Sequence, residues 1–149
     1  KINSSLKKYF INQYFMPDIK IRLINKLKKF ANTSIDISDG LLDDLDKMLN
    51  TQKLSYKLCL KDIPISDNLK KVLNLKNLSK INYISKGDDY QVLFTAPKMM
   101  RGIIRRISIN NRIKLTKIGI IHSSSKKPSI VNHKNIEISP KNKGYFHNF

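Results

Sequence analysis

Seven of the eleven acidic side chains in this 149-residue chain sit in two short segments: Asp36, Asp39, Asp43, Asp44 and Asp46 in one, and the adjacent pair Asp88 and Asp89 in the other. Scarce carboxylates gathered together in a chain of net charge +18 suggest a cation site. The first segment, Ile35-Asp36-Ile37-Ser38-Asp39-Gly40-Leu41, reads as a strand feeding directly into a helix. Side chains two apart on a strand share a face, so Asp36 and Ser38 point the same way, while Asp39 falls at the turn beside the helix N-terminus. Two carboxylates and a hydroxyl then converge at an electropositive helix end. Hard oxygen donors of this kind suit Mg2+, which completes its octahedron with waters and phosphate oxygens. Gly40 lets a phosphate chain approach the backbone. A plain helix cap, with Ser38 or Asp39 accepting from backbone N–H groups, accounts for the same spacing equally well. Asp43, Asp44 and Asp46 are explained by the positive end of the helix dipole without any function.

The second segment, Ser85-Lys86-Gly87-Asp88-Asp89-Tyr90-Gln91-Val92-Leu93-Phe94, puts paired acids on a tight turn before an apolar strand. Adjacent carboxylates are costly unless a cation or a donor lies between them, although a solvated turn is the ordinary alternative.

The elements that must position these groups follow from periodicity. Leu6, Tyr9, Phe10, Gln13 and Tyr14 predict a first helix, ended by Pro17, and Ile24, Leu27, Lys28 and Ala31 a second. Thr33–Ile37 is a β-branched strand. Leu41, Leu42, Leu45, Met48 and Leu49 form the buried stripe of a helix whose Asp43, Asp44, Asp46 and Lys47 face outward. A strand from Ser55 is predicted to run to about Pro64, and a helix capped by Ser66 or Asp67 carries Leu69, Val72 and Leu73. Tyr90–Thr95 is a strand stopped by Pro97. Met100, Ile103, Ile104 and Ile107 line a helix whose other face carries Arg101, Arg105 and Arg106. A strand over Ile113–Ile121, interrupted by Gly119, a loop over Ser123–Pro128 and a hairpin from Ile130-Val131 and Ile136–Ile138 complete the chain. Helices interleaved with short strands over one core predict an α+β sandwich, a sheet with helices packed on it.

Composition narrows the classes of function. No apolar run approaches the roughly 18 to 20 residues of a membrane span, which excludes an integral helical membrane protein. The single cysteine, Cys59, cannot form an internal disulfide, and three scattered histidines without a Cys-x-x-Cys pair give no zinc framework. A reducing cytoplasm is the expected setting. The first residue is Lys1 and nothing near it has the layout of a signal peptide, so the N-terminus reads as a domain boundary. The charge of +18 attracts polyanions at low salt, and a basic nucleic-acid-binding module is one alternative function. Against it, 24 of the 29 basic residues are lysines spread evenly along the chain, and there is no tryptophan. Base readers depend on Arg forks and aromatic platforms. Joint over-use of Lys, Asn and Ile, as from an A/T-rich coding sequence, explains solvated lysine faces. A degenerate fragment without ligand is the other alternative.

Taken together, Asp36–Leu41 and Gly87–Phe94 resemble the second domain of thiamine-monophosphate kinase, the family that phosphorylates thiamine phosphate to thiamine diphosphate. Its motifs are similar to Asp-x-Ser-Asp-Gly-Leu followed by Gly-Glu-Asp-Tyr-Glu-Leu-Leu-Phe. The resemblance continues through Ile63-Pro64, Phe94-Thr95-x-Pro97 and Ile118-Gly119 to an aromatic closing motif, Gly144-Tyr145-Phe146-His147-Asn148-Phe149. It spans the chain from about Tyr9 to Phe149, and the order of the motifs is more specific than any one of them. The resemblance implies an AIR-synthetase-like (PurM-like) C-terminal domain, a mixed β-sheet with packed helices, over residues 23–149. Residues 1–22 would be a helix and linker from a preceding domain. It implies that Asp36 and Asp39 bind Mg2+, that Ser38 contacts ATP, and that Asp88 and Tyr145 contact thiamine phosphate. The implied chemistry, transfer of the γ-phosphoryl group of ATP to a phosphate oxygen, is positioning plus charge neutralisation and needs no protein nucleophile.

The chain departs from the family pattern at four places. Lys86 stands where the family turn has a glycine, Asp88 is a methylene shorter than the usual Glu, Gln91 replaces an acid, and Asn148 lengthens the closing motif. The family's N-terminal domain, with further metal-binding acids, much of the ATP site and a homodimer contact, has no counterpart here. Asp18 is the only acid before Asp36. Little activity is expected of the chain alone.

Overall fold

The computed structural model describes residues 2–50, 52–87, 89–123 and 125–140. Its elements are α1 (Ser4–Phe15), α2 (Ile21–Leu27), β1 (Thr33–Ile37), α3 (Leu41–Asn50), β2 (Leu54–Cys59), α4 (Asp67–Leu75), β3 (Gln91–Thr95), α5 (Arg101–Asn110), β4 (Gly119–Ser123), β5 (Ser129–Val131) and β6 (Glu137–Ile138). Side-chain caps set two helix starts. The Asn3 carbonyl accepts from the Leu6 N–H at 2.9 Å and the Ser66 hydroxyl from the Leu69 N–H at 3.1 Å.

The strands form two ladders. A four-stranded mixed sheet has the order β4-β2-β5-β6, with β2 antiparallel to β4 and parallel to β5. Separately, β1 and β3 make a two-stranded antiparallel ribbon in register from Thr33 opposite Thr95 to Ile37 opposite Gln91. This is the expected α+β arrangement of a mixed sheet and packed helices, with its strands divided between two ladders.

The ribbon lies between two apolar clusters because side chains alternate along its strands. Leu93 joins Ile37, the α3 stripe of Leu41, Leu42, Leu45, Met48 and Leu49, and Tyr56 and Leu58 of β2. Its neighbours Val92 and Phe94 pack instead with Leu23, Leu27 and Phe30 and with the inner face of α5. The Phe30 and Phe94 rings meet edge to face with centroids 5.2 Å apart. The segment that carries the first acidic motif is thereby clamped from both sides.

Two predicted strands are shorter in the structure. β2 ends at Cys59, not near Pro64, because the chain turns with Asp62 N–H donating to the Cys59 carbonyl at 2.9 Å. The carbonyls of Leu60 and Ile63 beyond it accept from the Lys80 ammonium instead of a neighbouring strand. Likewise β4 begins at Gly119, and Ile113 and Leu115 are drawn into the α5 cluster rather than into a ladder. Among the described residues no helix is long and apolar enough to cross a membrane.

Candidate active site

Ribbon β1–β3 brings the two acidic segments to one place. The first segment leaves β1 after Ile37 where the second enters β3 at Gln91, and the Tyr90 N–H donates to the Ile37 carbonyl at 2.9 Å. Beyond the ladder the two loops touch backbone to backbone. Gly40 has φ +114°, and a Cβ placed there would stand 2.6 Å from the Ser85 carbonyl oxygen. A Cβ on Gly87 would stand 2.1 Å from the Ser38 carbonyl oxygen. The Leu41 N–H closes the contact on the Ile84 carbonyl at 3.0 Å. Two motifs far apart in sequence thus form one interlocked structure, and glycine is sterically required at both crossing points.

The first loop is held in shape by Asp44, which is 1% exposed. Its Oδ2 accepts from the backbone N–H groups of Ser38 and Asp39, each at 2.9 Å. This corrects the expectation that Asp44 faces outward and serves only the helix dipole. A carboxylate is buried at this depth only when hydrogen bonds replace its water, and here two backbone donors do so. Asp44 therefore positions the turn that presents Ser38 and Asp39.

Around that turn the carboxylates of Asp39, Asp43 and Asp44 each offer an oxygen, all within 4.8 Å of one another. The Lys47 ammonium reaches all three, at 2.5 Å from Asp39, 2.6 Å from Asp43 and 3.6 Å from Asp44. Hydrogen bonds to Asp39 and Asp43 hold its proton well above the ordinary lysine range. The cluster fits a hard divalent cation on two counts. Its donors are carboxylate oxygens, and a protein cation already stands among them.

The residues singled out in the sequence distribute unevenly. Asp39 lies in the cluster and half-buried Ser38 next to it. Asp36 is exposed on β1 opposite Val92 and is not one of the three clustered acids. Asp88, Tyr145 and the whole closing motif lie outside the described residues. Of the substituted turn positions, Lys86 is exposed with its ammonium 5.1 Å from the centre of the Tyr83 ring, a cation–π distance. Gln91 donates through its amide to the Asp89 carbonyl at 3.2 Å. Sequence reasoning missed the parts played by Asp43, Asp44 and Lys47. The available signal was the i, i+4 and i, i+3 spacing of Lys47 from the two acids.

No family model matches the chain. Curated proteins do. The chain is 32% identical to the thiamine-monophosphate kinase of Buchnera aphidicola subsp. Acyrthosiphon pisum over 120 residues, 80% of this chain and 36% of that protein. It is also 32% identical to the enzyme of that name from Buchnera aphidicola subsp. Schizaphis graminum, over 97% of this chain and 44% of that one. In structure it is similar to AaThiL complexed with AMPPCP and TMP, with a TM-score of 0.73 at 24% identity, covering 98% of this chain and 44% of that one. The chain therefore spans less than half the length of the curated relatives it matches. By sequence and by fold, it is a part-length relative of the thiamine-monophosphate kinases.

Proposed function

We propose that this chain is the C-terminal domain, residues 23–149 preceded by a helix and linker, of an ATP- and Mg2+-dependent kinase that converts thiamine phosphate to thiamine diphosphate. The observation that carries the reading is the interlocking of the two motif loops, since it makes one site of the two segments whose motifs resemble those of the kinase family. Asp36 and Asp39 bind Mg2+ in this reading, with Ser38 on the ATP phosphates and Asp88 and Tyr145 on thiamine phosphate. Bound Mg2+ supplies neutralisation of the charge carried by the phosphoryl oxygens. The protein's part is positioning: the Asp44 bonds fix the Ser38–Asp39 backbone, and Gly40, whose missing side chain leaves room for the Ser85 backbone and not for a phosphate as the sequence suggested, lets the second loop pack against the first. A phosphate oxygen is already ionised at neutral pH, so no side chain has to act as a strong base. An N-terminal domain, in the same or a separate chain, completes the metal and ATP sites. The single cysteine suits a reducing cytoplasm.

Calorimetric titration with Mg·AMPPCP tests the assignment. Asp39→Asn is expected to weaken binding by about tenfold, the loss of one charged ligand, and Ser38→Ala by less. Unchanged affinity in Asp39→Asn removes the assignment. The competing reading, nucleic-acid binding driven by the charge of +18, requires affinity that survives about 200 mM salt; binding that vanishes there reflects counterion release alone.

A further inference from the structure

Lys47 lies on the solvent side of the carboxylate cluster, with its side chain 48% exposed. Its ammonium is in contact with Asp39 of the turn and, one helical turn back along α3, with Asp43. Those two carboxylates belong to different segments, a loop and a helix, and like charges in such proximity repel unless a cation lies between them. A lysine ammonium is a compact point charge on a four-carbon stem, which can leave for solvent without disturbing the helix that bears it. Asp44, by contrast, is committed to two backbone N–H groups and cannot follow.

We propose that Lys47 is a tethered stand-in for the divalent cation: its ammonium holds Asp39 and Asp43 together in the metal-free protein, and a metal ion entering the cluster has to displace it. The inference rests on the reading of Asp39 as a metal ligand. It adds that Asp43 shares the ion and that the protein's own side chain sets the metal affinity by competition. Keeping the acids paired in the absence of metal preserves the turn geometry, at the cost of weaker binding. An ordinary surface i, i+4 pair would have no such consequence.

The test is titration of the full chain with Mn2+, followed by the loss of the free-ion paramagnetic resonance signal, with the thermal midpoint measured in parallel. Lys47→Gln is expected to tighten Mn2+ binding about five- to tenfold, the effect of removing one unit charge within 4 Å at a partly solvated site. Lys47→Arg, which keeps the charge, is expected to stay close to the native protein. Asp43→Asn is expected to weaken binding in the Lys47→Gln background. If Lys47→Gln is less stable without metal, Mn2+ is expected to raise its thermal midpoint by more than it raises that of the native chain. Equal Mn2+ affinity and equal thermal shift in native and Lys47→Gln protein overturn the proposal. Their equality together with loss of binding in Asp39→Asn would leave Asp39 a ligand and sink only the role of Lys47. Binding insensitive to Asp39→Asn, or no binding to any variant, would overturn both.

Discussion

Replacing Asp44 by alanine is expected to lower the stability of the folded chain by about 3 kcal/mol, measured as a shift of the urea midpoint at unchanged slope. The size follows from what is left behind. Two backbone N–H groups, of Ser38 and Asp39, lose a charged acceptor at 2.9 Å in a place that water barely reaches, and each orphaned donor costs about 1 to 2 kcal/mol. Asp44→Asn keeps an acceptor oxygen of the same shape and is expected to cost about half as much. Both variants are expected to weaken Mg·AMPPCP binding further than their stability loss at a temperature where they remain folded, because the turn that carries Asp39 loses its anchor. A loss below about 1 kcal/mol in Asp44→Ala would mean that the turn finds other partners.

Gly87→Ala is expected to be comparably damaging, on the order of 3 kcal/mol, for a steric reason. The added methyl would meet the Ser38 carbonyl oxygen at 2.1 Å, with the Ser38 carbonyl carbon and the Asp39 Cα also within 3.3 Å. These are backbone atoms and cannot rotate aside as a side chain can. Either the Ser38–Gly40 loop is pushed off its partner or the ribbon end opens. Gly102→Ala is the internal control. Nothing lies within 4 Å of a Cβ there, and alanine in the first turn of α5 is expected to stabilise by about 0.5 kcal/mol. Opposite signs for the two glycines in thermal or urea unfolding check the packing of one motif on the other. A Gly87→Ala protein as stable as the native chain would contradict it.

Much of this architecture was legible from local signals, as α3 and its motif illustrate. Leu41, Leu42, Leu45, Met48 and Leu49 repeat at helical spacing and are all buried, and Thr33–Ile37 is a strand with the bounds its β-branched residues predict. What was not legible depended on contacts between distant segments. The strand expected through Ile113–Ile118 has suitable residues, but Ile113 and Leu115 have a better apolar partner in α5 than in a ladder. Leu60 still donates its N–H to the Val131 carbonyl at 2.9 Å, but beyond it the chain leaves the sheet, and the distant Lys80 ammonium collects the Leu60 and Ile63 carbonyls. At the candidate site, the turn that carries Ser38 and Asp39 was readable as a strand-to-helix junction because its motif is local, whereas the convergence of Asp36 with them was not met, Asp36 lying outside the carboxylate cluster. Asp44 was not, since an acid in the first turn of a helix looks the same in sequence whether it faces solvent or reaches back to two N–H groups. The requirement for Gly87 likewise becomes visible only when the Ser38 carbonyl is seen against it.

The chain, proposed as one part of a thiamine-phosphate kinase, needs a second domain for turnover. The most direct measurement is formation of thiamine diphosphate from ATP, Mg2+ and thiamine phosphate by the purified chain, alone and mixed with an N-terminal kinase domain from the same source. Product is expected in the mixture, its loss on Asp39→Asn, and no product from either component by itself. Product from the chain alone, or none from a mixture of two folded components, would contradict it.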